Sequence, residues 1–288
     1  LGGVLASSAI HLFVSADLVQ RLSPRNPVLA AFAGAFLGLA FPVCECGSIP
    51  ATRRLLAKGT PLPLGIAFVL AAPAVNPIVI VSTWVAFSGQ IEIVIGRILL
   101  TILIAIVVGV VIGLHPKPET LLSRPGLHNV AVSHDAPQVG DVSCDGHDHH
   151  DDVKQHPIQA LLSHANSEFF EMGRYLVIGA LIAAALQVVI PRSALLDLAQ
   201  GPVISVLVLM GMAVVLSICS TVDAFVALSF AQSFTPGAVL AFLVFGPMID
   251  LKSVFMLSTT FRRWVVALMV VLVSQITILA AIIVNLYF

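Results

Sequence analysis

Residues 62–87 read LPLGIAFVLAAPAVNPIVIVSTWVAF, an apolar run without a charged side chain. A hydrocarbon core of about 30 Å is crossed by roughly 20 apolar residues in a helix, so this run is long enough to span a bilayer. Pro73, Asn76 and Pro77 lie near its middle, and proline interrupts the backbone hydrogen bonding of a helix. The run therefore predicts a membrane-spanning helix with a central break.

The composition of the whole chain points to the same class of protein. Hydrophobic residues make up 58% of the 288 residues and charged residues 10%, whereas soluble domains carry about 25% charged residues. The net charge of −1 gives no electrostatic basis for binding nucleic acid, so the expected partner is the lipid bilayer. We predict an all-α, polytopic integral membrane protein with about eight transmembrane helices, some broken by Pro or Gly. The predicted segments are 1–19, 28–43, 62–87, 98–114, 175–190, 203–219, 237–257 and 264–288.

Three regions follow along the chain. Residues 115–160 are rich in Pro, Asp, His, Ser and Gly and cannot bury a core, so they are expected to form a disordered linker. Residues 1–114 and 161–288 are the two membrane regions on either side. Because the chain begins at Leu1 inside an apolar stretch, we expect the N-terminus to be truncated within the first helix.

The two membrane regions resemble each other and predict an internal duplication. Cys46, Thr60-Pro61 and the Pro73-to-Asn76 motif of the first region match Cys219, Thr235-Pro236 and the Pro247-to-Asp250 motif of the second. The spacing from cysteine to proline is 27 positions in the first and 28 in the second. Residues 3–11 also align with residues 179–187. Duplicated halves are common in transporters, which bind their solutes where the halves meet.

The relative orientation of the two halves stays open at this point. Arg53, Arg54 and Lys58 follow the cysteines of the first half, whereas Arg262 and Arg263 follow a later helix of the second. Under the positive-inside rule this asymmetry favours halves of opposite orientation. Eight plain crossings would instead give parallel halves, and one re-entrant segment would reconcile the two readings.

The first group of chemically active residues is Cys44, Glu45 and Cys46. Pro42, Gly47 and Pro50 around them argue against a regular helix. In extended backbone, residues two apart point the same way, so both sulfurs could face one solute. An ionisable group at membrane depth is costly unless it faces water or a partner, which makes Glu45 a second candidate. The alternative is that the cysteines are small buried apolar residues.

The second group is Cys219 with Asp223, which ends a long apolar run and adds a third sulfur and a carboxylate. The alternative is a helix end capped by Ser, Thr or Asp.

The third group is the pair of helix breaks at Asn76 and Asp250, with Lys252 beside the second. Broken helices expose backbone groups that can contact a solute, although a proline kink that serves only packing is the alternative.

The linker carries the fourth group. Clustered imidazoles, a thiol and carboxylates in a flexible segment are typical of weak, exchangeable binding of Zn or Cu. The spacing matches no closed zinc site with paired CxxC motifs, and an idle His-rich linker is the alternative. The candidate metal ligands are Cys144, His147, His149, His150 and His156.

Several motifs outside the linker resemble one family. They are the Cys-x-Cys-Gly motif at 44–47, Ala72-Pro-Ala-Val-Asn76-Pro, Cys219-Ser with Asp223-Ala-Phe, and Phe245-Gly-Pro-Met-Ile-Asp250. They are similar to the predicted permeases that include the methylarsenite efflux permease, and the linker is similar to that of a His-rich branch associated with copper and zinc efflux. This resemblance implies about eight crossings, a location in the inner membrane, export, and solute contact through Cys44, Cys46 and Cys219.

The sequence thus predicts a permease that exports a soft metal ion, Zn or Cu, through a cysteine-lined site, with Cys44, Glu45, Cys46, Asn76, Cys219, Asp223 and Asp250 as solute-binding residues. One alternative is efflux of trivalent organoarsenicals such as methylarsenite. Another is a membrane metal sensor or thiol-redox enzyme that transports nothing. Because no GxxxxGK[ST] motif is present, we expect no ATP hydrolysis by that route. As a permease, the chain is expected to have neither enzyme activity nor a cofactor.

Overall fold

The computed structural model describes residues 26–57, 59–88, 90–114, 173, 177–182, 184–185 and 201–287. This part of the chain contains α-helices and no strands, which confirms the all-α prediction. The helices are α1 Pro27–Ala40, α2 Glu45–Ala57, α3 Leu62–Val75, α4 Pro77–Ala86, α5 Ile91–Gly113, α6 Pro202–Leu216, α7 Asp223–Phe230, α8 Pro236–Met248, α9 Leu251–Thr260 and α10 Arg263–Tyr287.

Four long apolar stretches satisfy the length of a membrane span, and each overlaps a span predicted from the sequence. Two are single helices, α5 and α10, and two are broken helices made of α3 with α4 and of α8 with α9. The broken stretches, Leu62–Ala86 and Pro236–Thr260, each contain 25 residues. The chain is therefore a multi-pass membrane protein.

Helices α1 and α6 do not reach the length of a span, although the sequence predicted one at each position. Helix α1 has 14 residues and α6 has 15. At 1.5 Å per residue such helices rise only about 21–23 Å, less than the hydrocarbon thickness. Helix α1 ends at Ala40, just before Pro42. The predicted span at 1–19 lies outside the described residues, and residues 177–182 within the span predicted at 175–190 are helical.

Close contacts of glycine show that α1 and α3 run in the same direction. Gly34 of α1 lies against the backbone of Leu64, and Gly38, one turn later, lies against Ala71 and Ala72. Small residues allow helix backbones to approach closely in membranes. Because both contacts advance along both helices, α1 and α3 begin at the same side of the protein.

The remaining helices of this group run back. Gly65, near the start of α3, meets Leu56 and Thr52 of α2, so α2 is antiparallel to α3. Helices α1 and α2 therefore form a hairpin that enters and returns at the side where α3 begins. Gly109 and Gly113, near the end of α5, meet Pro63 near the start of α3. Helix α5 thus returns to that side as well.

Helices α6–α10 repeat the same order of two short helices, a broken pair and a long helix. Ser205 and Thr235 near the starts of α6 and α8 are hydrogen-bonded at 3.2 Å, and Ala213 meets Gly246 near their ends. These two helices therefore run in the same direction. The amide of Gly237 at the start of α8 donates to Asn285 Oδ1 at the end of α10, at 2.8 Å, so α10 is antiparallel to α8.

The two groups of helices pack against each other through equivalent elements. Helix α2 packs on α9, and α7 packs on α4. Helix α8 also contacts α3 and α5, and α5 contacts α10. The domain limits at 114, 115–160 and 161 stay a prediction, because they fall in or beside residues that the structure does not describe.

The packing of α1 on α3 generates the first prediction. A methyl group at Gly34 would collide with the Leu64 backbone, which cannot move aside as a side chain can. We expect Gly34→Ala to destabilise the protein by about 1–3 kcal/mol, the usual cost of overpacking. Thermal unfolding in detergent measures the change. Gly211→Ala in α6 is the matched control, since no atom lies within 4 Å of its added methyl group. Equal melting temperatures for the two variants would contradict the prediction.

Candidate functional site

The first helix break lies at Asn76, which separates α3 from α4 with extended backbone, φ −69° and ψ 162°. The side chain is buried, and its Oδ1 accepts a hydrogen bond from the amide of Val79 at 3.0 Å, which caps α4. Its Nδ2 donates to the carbonyls of Ala72 at 3.2 Å and Val43 at 3.4 Å. Asn76 therefore holds together the end of α3, the start of α4 and the chain that precedes α2.

The second break lies at Asp250, which separates α8 from α9, again with extended backbone. One carboxylate oxygen caps α9 by accepting from the amide of Ser253 at 2.6 Å and from the Ser253 hydroxyl. The other accepts from the Ser217 hydroxyl at 2.7 Å and forms an ion pair with Lys252 at 3.4 Å. Asp250 is 1% exposed, so this carboxylate is almost fully committed to its protein partners.

Each break fixes a non-helical loop that carries a cysteine. Residues 41–44 follow α1, and residues 217–222 follow α6. Asn76 bonds the carbonyl of Val43 beside Cys44, and Asp250 bonds the side chain of Ser217, which adopts a left-handed backbone conformation with φ 46°. The thiols of Cys44 and Cys219 are both exposed. These tethers bring each thiol to the break of its own group of helices.

The starts of α1 and α6 show which cysteines are equivalent. Cys44 lies 17 positions after Pro27, and Cys219 lies 17 positions after Pro202. The sequence comparison paired Cys46 with Cys219, whereas the helix boundaries pair Cys44 with it. Cys46 itself lies within α2, and its side chain is outside the described residues.

The expectation of extended backbone through Pro50 is wrong, because α2 begins at Glu45 and includes Gly47 and Pro50. Proline removes a hydrogen bond from the helix, but Ile49, Ala51 and Leu55 are buried. Their burial contributes about 1.5–3 kcal/mol for each large side chain and offsets that loss. Only the thiol of Cys44, which precedes the helix, lies on extended chain.

Glu45 is the centre of the site. Its side chain is 8% exposed, and its Oε1 has no hydrogen-bond partner. The charged and polar groups that act on its carboxylate are Asp250, Lys252, Cys219 and Cys44. Three of these four belong to the second group of helices, so the two groups converge at Glu45. Arg53, which follows Glu45 in α2, donates to Thr259 Oγ1 of α9 at 3.0 Å.

Asp223 has a partner that the sequence analysis missed. Both of its carboxylate oxygens accept hydrogen bonds from Arg97 of α5, at 3.1 and 2.7 Å. Arg97 also donates to the carbonyl of Ala74 at 3.1 Å and to the Thr83 hydroxyl at 3.0 Å. The prediction started this helix at residue 98, but α5 begins at Ile91 and carries Arg97 inside the span. An arginine within a span requires a buried partner, which is the signal that could have revealed it.

Among the residues that the structure describes, no group of three or more His, Cys, Asp and Glu side chains could hold a metal ion. The predicted linker ligands, Cys144, His147, His149, His150 and His156, all lie outside those residues. The described site therefore consists of two thiols, two carboxylates and one ammonium group, from Cys44, Glu45, Cys219, Asp250 and Lys252.

Two broken apolar spans that bring thiols and carboxylates together inside a multi-pass protein define a membrane permease. The chain belongs to the predicted permease family ArsP_1, whose model matches residues 1–286. The resemblance found in the sequence is confirmed at the level of this permease family.

Two relatives extend this result. The chain is 42% identical over 285 residues to the UPF0718 protein YcgR of Bacillus subtilis (strain 168), covering 98% of this chain and 90% of the relative. It is 32% identical over 260 residues to a putative two-component membrane permease complex subunit of Streptococcus mutans serotype c (strain ATCC 700610 / UA159), covering 90% of this chain and 81% of that one. No solved structure matches the chain.

The caps at the breaks generate the second prediction. Asn76→Ala removes the bond to Val79 and leaves the carbonyls of Ala72 and Val43 without this donor. We expect a loss of about 1–3 kcal/mol in stability, measured as a lower melting temperature in detergent. Gln90→Ala is the control, because Gln90 also precedes a helix but its side chain makes no capping bond. A similar loss of stability in both variants would show that the side-chain hydrogen bonds of Asn76 do not account for the effect.

Proposed function

We propose that this permease exports a thiol-seeking cation, with Cu⁺ as the best match, through the site between the two helix breaks. The observation that carries the proposal is the buried oxygen Oε1 of Glu45, which lacks a hydrogen-bond partner beside thiols from both groups of helices. A buried, unsatisfied polar group costs about 1–3 kcal/mol, and more if it is charged. A bound cation would supply the missing partner.

The charges around Glu45 favour a positive solute. Glu45 and Asp250 contribute two carboxylates, whereas Lys252 contributes one ammonium group that is already paired with Asp250 at 3.4 Å. The ion pair of Arg97 with Asp223 adds no net charge. A cation bound beside Glu45 would stabilise the ionised form of its carboxyl group, whereas the charge of Asp250 is already paired with Lys252.

The sulfur ligands favour a soft ion. Thiolates select Cu⁺ and other soft ions over hard cations such as Mg²⁺. Zn²⁺ prefers four ligands, and no cluster of three candidate ligands occurs in the described part of the chain. Cu⁺ accepts two sulfur ligands, which Cys44 and Cys219 would provide, with Glu45 balancing the charge. Zn²⁺ would require Cys46 and Glu45 as further ligands.

The other predicted residues receive supporting roles in this proposal. Asn76 and Asp250 would hold the two cysteine loops at the breaks, and the linker ligands from Cys144 to His156 would gather the ion before transport. Because a thiol must lose its proton to bind a metal, binding would release protons. This release offers a way to couple export to a proton gradient. The site would operate in the inner membrane.

Efflux of a trivalent organoarsenical is the second candidate, and the shortage of metal ligands in the described residues favours it. Methylarsenite also binds two sulfurs, so Cys44 and Cys219 would suffice and the linker histidines would play no part. A membrane sensor or a thiol-redox enzyme would use the same thiols without moving a solute, and the transport experiment excludes or supports these as well.

Transport into everted vesicles generates the third prediction. We expect uptake of Cu⁺ by the intact chain to fall about tenfold or more in Cys44→Ser and in Cys219→Ser, since each loses a sulfur ligand and each 1.4 kcal/mol of binding is a factor of ten. Glu45→Gln should also reduce uptake, because the amide cannot balance the charge. Gly211→Ala, whose added methyl group meets no atom within 4 Å, is the control and should transport at the rate of the intact chain.

The same vesicles compare Cu⁺, Zn²⁺ and methylarsenite, with and without residues 141–156. Loss of Cu⁺ or Zn²⁺ transport on deletion supports a role of the linker in metal export. Transport of methylarsenite that is unaffected by the deletion supports the second candidate. If none of the three moves, or if both serine variants transport at the rate of the intact chain, the proposal is wrong.

A further inference from the structure

We infer that the two groups of helices form an inverted repeat and that the Arg97–Asp223 pair is the gate that closes its outer side. The inference rests on the chain being a permease, but not on the identity of its solute. It follows from the directions of the helices, the contacts between the groups and the placement of charge.

The directions of the helices define two sides. Helices α1, α2 and α3 have their outer ends on one side, which we call side A, and α4 leads from the break at Asn76 to the opposite side, side B. Helix α5 starts on side B and returns to side A, where Gly113 meets Pro63. The hairpin of α1 and α2 therefore occupies only the A half of the membrane thickness.

The contacts between the groups place the second group upside down relative to the first. Helix α2 packs on α9, with Arg53 bonded to Thr259 at 3.0 Å, so α9 lies toward side A. Helix α7 packs on α4, with the Ser82 hydroxyl donating to the Thr221 carbonyl at 2.7 Å, so α7 lies toward side B. Since α9 leads away from the start of α8, the second group begins on side B. Reciprocal contacts of this kind are those of a two-fold axis.

A contact outside the hairpins agrees with this arrangement. Gly96, near the start of α5, lies against the side chain of Leu240, near the start of α8. In an inverted repeat both positions lie on side B. In a parallel repeat they would lie on opposite sides of the membrane, some 20 Å or more apart.

The basic residues identify side A as the cytoplasmic side. Arg53 and Arg54 lie in the outer part of α2, and Arg262 and Arg263 lie where α9 ends and α10 begins. All four are on side A, whereas Glu92 lies on side B at the start of α5. The positive-inside rule assigns the basic side to the cytoplasm. The charge pattern favours halves of opposite orientation, whereas eight full crossings would give parallel halves. Hairpins that enter and leave on the same side remove this conflict.

The Arg97–Asp223 pair joins the two groups on the outer side. Arg97 belongs to α5 and Asp223 starts α7, and the two side chains are 2% and 4% exposed. The bidentate geometry of the pair is among the strongest that side chains form. With the Ser82–Thr221 bond beside it, it holds α7 against α4 and α5 and closes the route from the site to the outside.

On the cytoplasmic side, the positions equivalent to Arg97 and Asp223 carry no charged side chains. Ser48 takes the position of Asp223, since each lies 21 positions after the proline that starts α1 or α6. Its hydroxyl bonds the carbonyl of Glu45 within its own helix. Helix α10, the counterpart of α5, carries no charged residue after Arg263. The buried pair of Arg97 and Asp223 on side B therefore has no counterpart at the equivalent positions of side A.

A buried ion pair can act as a gate because its two charges are stable in two arrangements. They are paired when water is excluded, and each is separately hydrated when the crevice opens and fills with water. Transport through the site requires the outer side to open in one state. Separation of Arg97 from Asp223 is therefore a step of the transport cycle, and the inverted repeat supplies the symmetric inward and outward states.

The orientation is tested first, by cysteine labelling in intact cells and everted vesicles. Glu92→Cys and Arg262→Cys are introduced singly into a chain that lacks the native cysteines, and a membrane-impermeant maleimide is added from either side. Glu92 and Arg262 lie beside the starts of α5 and α10. The inverted repeat predicts that position 92 reacts from outside and position 262 from the cytoplasm. Reaction of both from the same side would overturn it.

The gate is tested with Cys219 as the remaining reporter thiol, after Cys44, Cys46 and Cys144 are changed to Ser. Because the thiol of Cys219 is exposed in the structure, its rate of labelling from outside with the Arg97–Asp223 pair intact serves as the reference rate. Asp223→Asn and Arg97→Gln weaken the pair and should increase this rate about tenfold or more, as expected when an open state of about 1% population becomes a major one. The charge-reversed double variant Arg97→Asp with Asp223→Arg should restore the reference rate.

Arg97→Lys gives a milder variant in case the others fail to fold, because it keeps the charge but loses the bidentate bonds. An intermediate labelling rate is expected. Unchanged outside labelling in folded Arg97→Lys and Asp223→Asn would overturn the gate, and so would equal labelling of the single and charge-reversed variants. Since labelling needs no solute, failure of this test is distinguishable from failure of the proposed cargo.

Discussion

The structure depends on how the two broken spans satisfy their backbone. In hydrocarbon, a helix that stops at mid-membrane exposes amides and carbonyls that no water can bond. Asn76 and Asp250 bond some of these groups within the broken spans themselves, since each caps the helix that restarts after it. Arg97 belongs to another helix, α5, and donates to the carbonyl of Ala74 in the last turn of α3. Without these bonds the chain would gain more by continuing as uninterrupted helix.

The capping residues also set the position of the chemistry. Asn76 has a carbonyl of the preceding loop as its second partner, and Asp250 has the Ser217 side chain. The same two side chains therefore restart a helix and fix a cysteine-bearing loop beside it. The thiols of Cys44 and Cys219 therefore lie near enough to the Glu45 carboxyl group to act on it electrostatically, and the position of the site follows from the breaks.

The sequence predicts the fold well wherever one local property decides the outcome. Long apolar runs predicted the spans, and Pro73 and Pro247 marked the breaks at Asn76 and Asp250. The sequence left open whether a segment re-enters the membrane, because a helix of 14 residues and a full span differ by a turn or two, and only packing of Gly34 and Gly38 on α3 reveals the direction. The partner of Asp223 was missed because Arg97 is 126 positions away, and one sequence carries no record of such a contact.

The buried ionisable groups fall into two kinds, the Arg97–Asp223 pair, whose members bond each other, and Glu45, which has an unbonded oxygen. Asp223 and Arg97 satisfy each other, so their burial costs little beyond the loss of hydration that the bidentate bonds offset. Glu45 has a buried oxygen without such compensation, and glutamine or methionine of similar volume would remove the charge at once. A position that serves folding alone gains nothing from this carboxylate. In the proposed mechanism, a solute would supply the partner that Glu45 lacks, and separation of the Arg97–Asp223 pair would open the route by which the solute leaves.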